Sequence, residues 1–135
     1  MFGRSKKERL LKAIALIDKC EELLRYQIEA METDESRSRL HSPFAYGYIF
    51  GFADAFFAKE HVADGDRLGN VSSLFESLFG PKAGVMASEW CMAAMQDQDE
   101  TFIRARLVGG QEIFALINSR GEQIPTGLGK YLLDG

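Results

Sequence analysis

Groups that cross-link chains or hold metals are scarce in this sequence. It carries two cysteines and two histidines in 135 residues. Cys20 and Cys91 each sit among apolar neighbours on an expected helix, outside any CxxC or Cys/His pattern. They read as buried thiols in a reducing cytosol, not as a disulfide framework or a zinc site. His41 and His61 have neither HxxxH nor HxxE spacing, so neither a metal nor another cofactor is expected. Basic charge is also short. The net charge is -4, and without a basic face nucleic-acid binding is not expected.

Long apolar runs are missing too. The most apolar stretch, Pro43 to Ala58, is shorter than the roughly 20 residues a bilayer needs, and Asp54 interrupts it. A membrane partner is therefore not expected. The N-terminal segment MFGRSKKERLLKAIALIDK has Lys12 and Asp18 inside its apolar part and no small-residue cleavage site after it, so it does not read as a signal peptide. No segment alternates apolar and polar residues in the manner of a strand, and β-branched residues are sparse. Phosphate-cradling, dinucleotide and nucleophile-elbow motifs are absent as well.

What is present is helical periodicity. Apolar residues make up 46% and charged residues 27%, the balance of a globular chain. A chain this long buries about two thirds of its unfolded surface without stapling. The pattern predicts an all-α, single-domain bundle over 1–135, built from four to five helices. The first runs from about Ser5 to Met31, with Leu10, Ile14, Ile17, Leu24, Ile28 and Met31 as its inward stripe. A polar loop follows over about 32–42. Ser42 and Pro43 mark the N-cap and first position of the next helix, about 43–62. Further helices are expected over 68–79, 82–96 and 99–119, with Gly80-Pro81 as a break. In the last of these Ile103, Leu107, Gly110, Phe114 and Ile117 form the inward stripe. A short tail, 121–135, closes the chain with a helical turn near 128–133.

The helix over 43–62 is the most informative element. It is apolar nearly all round, which marks a buried, central helix. Gly47, Gly51, Asp54, Ala58 and His61 share one face. A glycine inside a helix costs about 0.5–1 kcal/mol relative to alanine. Two of them one turn apart therefore point to a close helix crossing over Gly47, Gly51 and Ala58, with Gly109 and Gly110 as the opposing surface. The functional alternative is a groove on that face, open to a flat ligand or to a second subunit.

Asp54 carries the chemical question. A buried carboxylate must be paired, hydrogen-bonded or protonated. Arg106 is the expected structural partner, with Tyr46, Tyr48, Tyr131 and Trp90 as further donors. His61 lies two helical turns from Asp54, too far for a direct dyad. A calcium loop starting at Asp64 fails because Leu68 and Phe75 stand where oxygen ligands are required. Asp66 or a neighbour is the expected cap of the helix that follows. No catalytic constellation emerges, which tilts the reading away from an enzyme.

Three functional readings remain open. The first is a small, cytoplasmic, bacterial-type helical protein acting by protein–protein association, with a homo-oligomer as the expected form. The second is a small-molecule site or modest enzyme built from Asp54, His61, Arg106 and Tyr48. The third is an acidic inhibitor or immunity-type protein for a basic partner. It would use Glu21-Glu22, Glu32/Asp34/Glu35 and Asp97/Asp99/Glu100.

Overall fold

The computed structural model describes residues 2–29 and 33–134, with side chains from residue 6 onward. Among the described residues there are seven helices and no strand. They are α1 Phe2–Glu29, α2 Asp34–Leu40, α3 Pro43–Lys59, α4 Asp64–Phe79, α5 Pro81–Gln96, α6 Glu100–Asn118 and α7 Gly127–Asp134. The all-α class holds, with two helices more than the periodicity predicts. No helix among these residues is long and apolar enough to cross a membrane. Met31, expected in the first helix, lies outside the described residues.

The two additional helices are short, and polar contacts hold them. The polar run after α1 is α2 rather than a loop over 32–42. Thr33 caps it, with its side chain accepting from the Ser36 amide and the Ser36 side chain returning to the Thr33 amide. Asp34 and Glu35 sit in the first turn and Arg37 and Arg39 in the last, each at the end of the helix dipole that favours it. Arg39 reaches the Leu132 and Leu133 carbonyls at 3.0 and 2.7 Å. Those are orphan acceptors at the end of α7. Most of the tail 121–135 is therefore a docked helix whose Leu128 and Leu132 are buried.

Helix α3 is the centre of the core. Ser42 caps it and Pro43 opens it. Tyr48, Ile49, Phe52, Ala53 and Phe57 are fully buried. Its longest interface is with α6. It ends at Lys59, short of the expected residue 62, in a Schellman motif. The His61 amide donates to the Ala58 carbonyl and the Val62 amide to the Phe57 carbonyl. His61 takes φ +65, a left-handed position usually held by glycine, and leaves the helix face. Gln98 and Arg120 close α5 and α6 in the same way, with φ +53 and +55. All three left-handed positions hold a side chain rather than glycine; α5 and α6 still end at or within a residue of their expected bounds, whereas α3 stops short of its own.

Two stripes are oriented differently from the periodicity. The buried face of α6 is Phe102, Ala105, Gly109 and Ile113, whereas Ile103, Leu107 and Phe114 are exposed. Ala105 and Gly109 face inward because α6 lies backbone-close to α3 at those positions, and the larger Phe102 and Ile113 are buried on either side of them. On α1, Leu10 and Ile14 are likewise exposed, while Cys20, Leu24 and Gln27 are buried. Only the second half of that long helix rests on the core. The start of α4 also differs: Ala63 is its N-cap and no side chain caps it.

Candidate functional site

The glycine face of α3 is a closed crossing. A Cβ at Gly47 would lie 2.6 Å from the Phe102 carbonyl oxygen and 2.9 Å from Ala105 Cβ. A Cβ at Gly51 would overlap the Arg106 carbonyl, and one at Gly109 would overlap the Tyr48 carbonyl. Position 47 meets 102 and 105, 51 meets 106, and 52 meets 109, so α3 and α6 run parallel. Gly110 faces Gly51 and Ala55 at ordinary contact distance. Ala58 is exposed; Ala55 carries the small surface at this end. A second glycine contact, Gly84 of α5 against the Phe75–Glu76 backbone of α4, follows the tight Gly80 turn at φ +88.

Asp54 lies at the edge of this crossing, with its side chain 27% exposed. Its Oδ1 accepts from Arg67 Nε at 3.1 Å, and its Oδ2 lies 3.7 Å from Arg106 Nη2. Arg106, the expected partner, is joined by Arg67 of α4, which the sequence reading did not anticipate. Arg67 also pairs with Asp64 at 2.6 Å. Desolvation works against the Arg67 charge, but Asp54 and Asp64 outweigh it and hold the guanidinium pKa above its ordinary value. Arg106 also stands over the Phe50 ring, 5.1 Å from its centroid. The arrangement is an ion-paired tie between α3, α4 and α6. For half-exposed pairs of this kind the contribution is about 0–1 kcal/mol each.

Tyr48 belongs to a different cluster. Its hydroxyl donates to Glu112 Oε1 at 2.5 Å and accepts from Gln27 Nε2 at 2.9 Å. Glu112 Oε1 also accepts from the Thr126 and Gly127 amides at 3.1 and 2.9 Å, and Gln27 Oε1 accepts from the Gly129 amide at 3.0 Å. A carboxylate thus occupies the N-terminus of α7, where the helix dipole favours it. A charge-assisted bond as short as Tyr48–Glu112 is among the stronger kinds. Burial first, and then the Glu112 carboxylate, push the Tyr48 pKa well up. The network joins α1, α3, α6 and α7 through side chains that bond one another and the α7 backbone.

His61 is separated from both clusters. It lines an open groove of about 740 Å³ between the first half of α1 and the start of α4. Lys6, Arg9 and Lys12 form one wall, and Gly65, Gly69 and Ser73 the other. Asp54, Arg106 and Tyr48 do not line it. Of the four residues read as a ligand site, the structure joins Asp54 with Arg106 and places Tyr48 and His61 elsewhere. His41 bonds Tyr46 through Nδ1 at 2.9 Å and lies against Phe79. Cys20 and Cys91 are fully buried free thiols. Burial pushes Cys91 up to about 12 and Cys20 higher, which removes nucleophilic thiolate at neutral pH. Among the described residues no three His, Cys, Asp or Glu side chains converge as metal ligands.

The outward surfaces are the remaining feature. Leu10, Leu11 and Ile14 on α1 are 62%, 56% and 48% exposed. Ile103, Leu107 and Phe114 form a second apolar ridge on α6. Both consist of large side chains on a regular helix, each between 39% and 62% exposed among the described residues. No protein-family model, curated protein or solved structure significantly matches this chain.

Proposed function

We propose that this protein is a cytoplasmic association module: it works by binding protein, and a second copy of itself is the first such partner. One observation carries the reading. Leu10, Leu11 and Ile14 stand exposed on two consecutive turns of α1. Single exposed apolar residues are ordinary, but a contiguous group of large ones marks a contact surface. The polar clusters favour the same reading, because Asp54 pairs with Arg67 and Arg106, and Tyr48 bonds Glu112, within one chain.

The test is sedimentation velocity on the full chain across a range of concentrations, beside Leu11→Glu. The expected result is a dimer at micromolar protein that Leu11→Glu converts to monomer with unchanged helical circular dichroism. A monomer at every concentration up to millimolar overturns the self-association reading.

A further inference from the structure

We infer that α1 pairs antiparallel with α1 of a second copy, in the register that sets Leu11 of each copy against Ile14 of the other. The inference rests on the association reading and supplies its geometry. Four observations carry it.

The first is spacing. Lys7, Leu11, Ile14 and Asp18 follow one another at intervals of four, three and four residues, the seam of a two-helix coiled coil. All four are exposed. The opposite side of the helix, with Cys20, Leu24 and Gln27, is buried in the protein's own core. The seam is therefore free to take a second helix without unfolding the first.

The second is charge. The first half of the described α1 carries Lys6, Lys7, Arg9 and Lys12 against Glu8, and the second half carries Asp18, Glu21, Glu22 and Glu29 against Lys19 and Arg25. A helix that is basic at one end and acidic at the other repels a parallel copy and attracts an antiparallel one.

The third is register. With the twofold axis between Lys12 and Ala13, Leu11 meets Ile14 twice at the centre and Lys7 meets Asp18 once on each side. The contact is self-complementary and closes at two subunits, as a twofold interface must.

The fourth is shape. A shallow trough of about 430 Å³ on α1 is lined by Asp18, Glu21, Glu22, Arg25, Tyr26 and Glu29, and in this register Asp18, at its near end, meets Lys7 of the second copy. A basic amphipathic helix end also suits an anionic membrane surface. The acidic second half of the same helix favours the protein partner.

Charge reversal on the full chain tests the pairing by sedimentation velocity. Lys7 and Asp18 lie eleven residues apart, about 16 Å along one helix, so they do not touch within a chain. Lys7→Glu alone and Asp18→Lys alone should each weaken the dimer by about tenfold, because two attractive pairs become repulsive. An equimolar mixture of the two variants should regain wild-type affinity within about threefold. In that heterodimer the introduced glutamate of one copy faces the introduced lysine of the other, and the unchanged Lys7 faces the unchanged Asp18. The double variant should regain it as well. Both positions are exposed, and circular dichroism checks that each variant stays folded. A dimer that the single reversals leave intact, or that mixing does not restore, overturns the register while leaving association standing. A wild-type chain that is monomeric throughout overturns both. If that monomer binds vesicles of equimolar phosphatidylserine and phosphatidylcholine, and Lys7→Glu weakens this binding, the same face is a membrane contact and the pairing is overturned.

Discussion

The carbonyl oxygen of Arg106 occupies the space that a side chain at Gly51 would need. Backbone meets backbone at this point, and α3 and α6 have no flexible side chain that can yield. Gly51→Ala should therefore force the two helices apart and cost about 3 kcal/mol or more, the upper range for overpacking. Gly69 is the control. A Cβ there meets nothing within 4 Å, so Gly69→Ala should stabilise by about 0.5–1 kcal/mol through helix propensity alone. Thermal unfolding followed at 222 nm checks both. A loss at Gly51 no greater than at an ordinary surface position would contradict the close crossing.

Glu112 holds α7 in place through two backbone amides and the Tyr48 hydroxyl. Glu112→Ala should cost about 2–3 kcal/mol, since it strands a buried hydroxyl and uncaps a helix. Tyr48→Phe should cost less, about 1–2 kcal/mol, because Glu112 keeps the α7 amides. Hydrogen exchange separates the two: amides from Leu128 to Leu132 should exchange faster in Glu112→Ala than in Tyr48→Phe. Equal protection of α7 in both variants would show that the carboxylate does not anchor it.

His61 adopts φ +65 at the Schellman position after α3. A side chain in the left-handed region costs about 1 kcal/mol relative to glycine. His61→Gly should therefore raise stability by about 1 kcal/mol and leave the fold unchanged, as read by chemical denaturation. A destabilised His61→Gly would show that the imidazole makes a contact worth more than the backbone strain it imposes.

Glu21 supplies a pH dependence. Desolvation tends to raise its pKa, but hydrogen bonds from Ser77 and Arg25, and the Arg25 charge, outweigh it and hold the carboxyl below its ordinary 4.5. A carboxyl pKa depressed in the folded state adds stability above the unfolded value, and that stability is lost as pH falls through the folded value. Stability should therefore drop between about pH 5 and pH 3 more steeply in the wild type than in Glu21→Gln. Matching acid profiles would remove Glu21 from the balance.

The legibility of the sequence followed a physical division. Gly47 and Gly51 could be read because a glycine inside a helix needs a close neighbour to justify it, and Gly109 with Gly110 offered one. The same close approach inverted the reading of α6. Ala105 and Gly109 were needed inside, so the bulky Ile103, Leu107 and Phe114 went outside, where their periodicity imitates a core stripe. Arg106 was legible as a partner of Asp54 because it borders the crossing. Arg67 was not, since a loop separates α3 from α4. Gln27 and Glu112 carry no local signal of burial; their partners, the Tyr48 hydroxyl of α3 and the amides at the start of α7, come together only in the folded chain. Helix α2 is polar on most sides, and its caps and its bond to α7 stabilise it rather than an apolar stripe.

Concentration-dependent hydrogen exchange of the wild-type chain tests the outward face of α1 most directly as the association surface. Protection should rise with protein concentration at amides within about residues 7–18, while α6 stays unchanged. Exchange that is independent of concentration along α1, or protection that grows only along the Ile103–Phe114 ridge of α6, would contradict it.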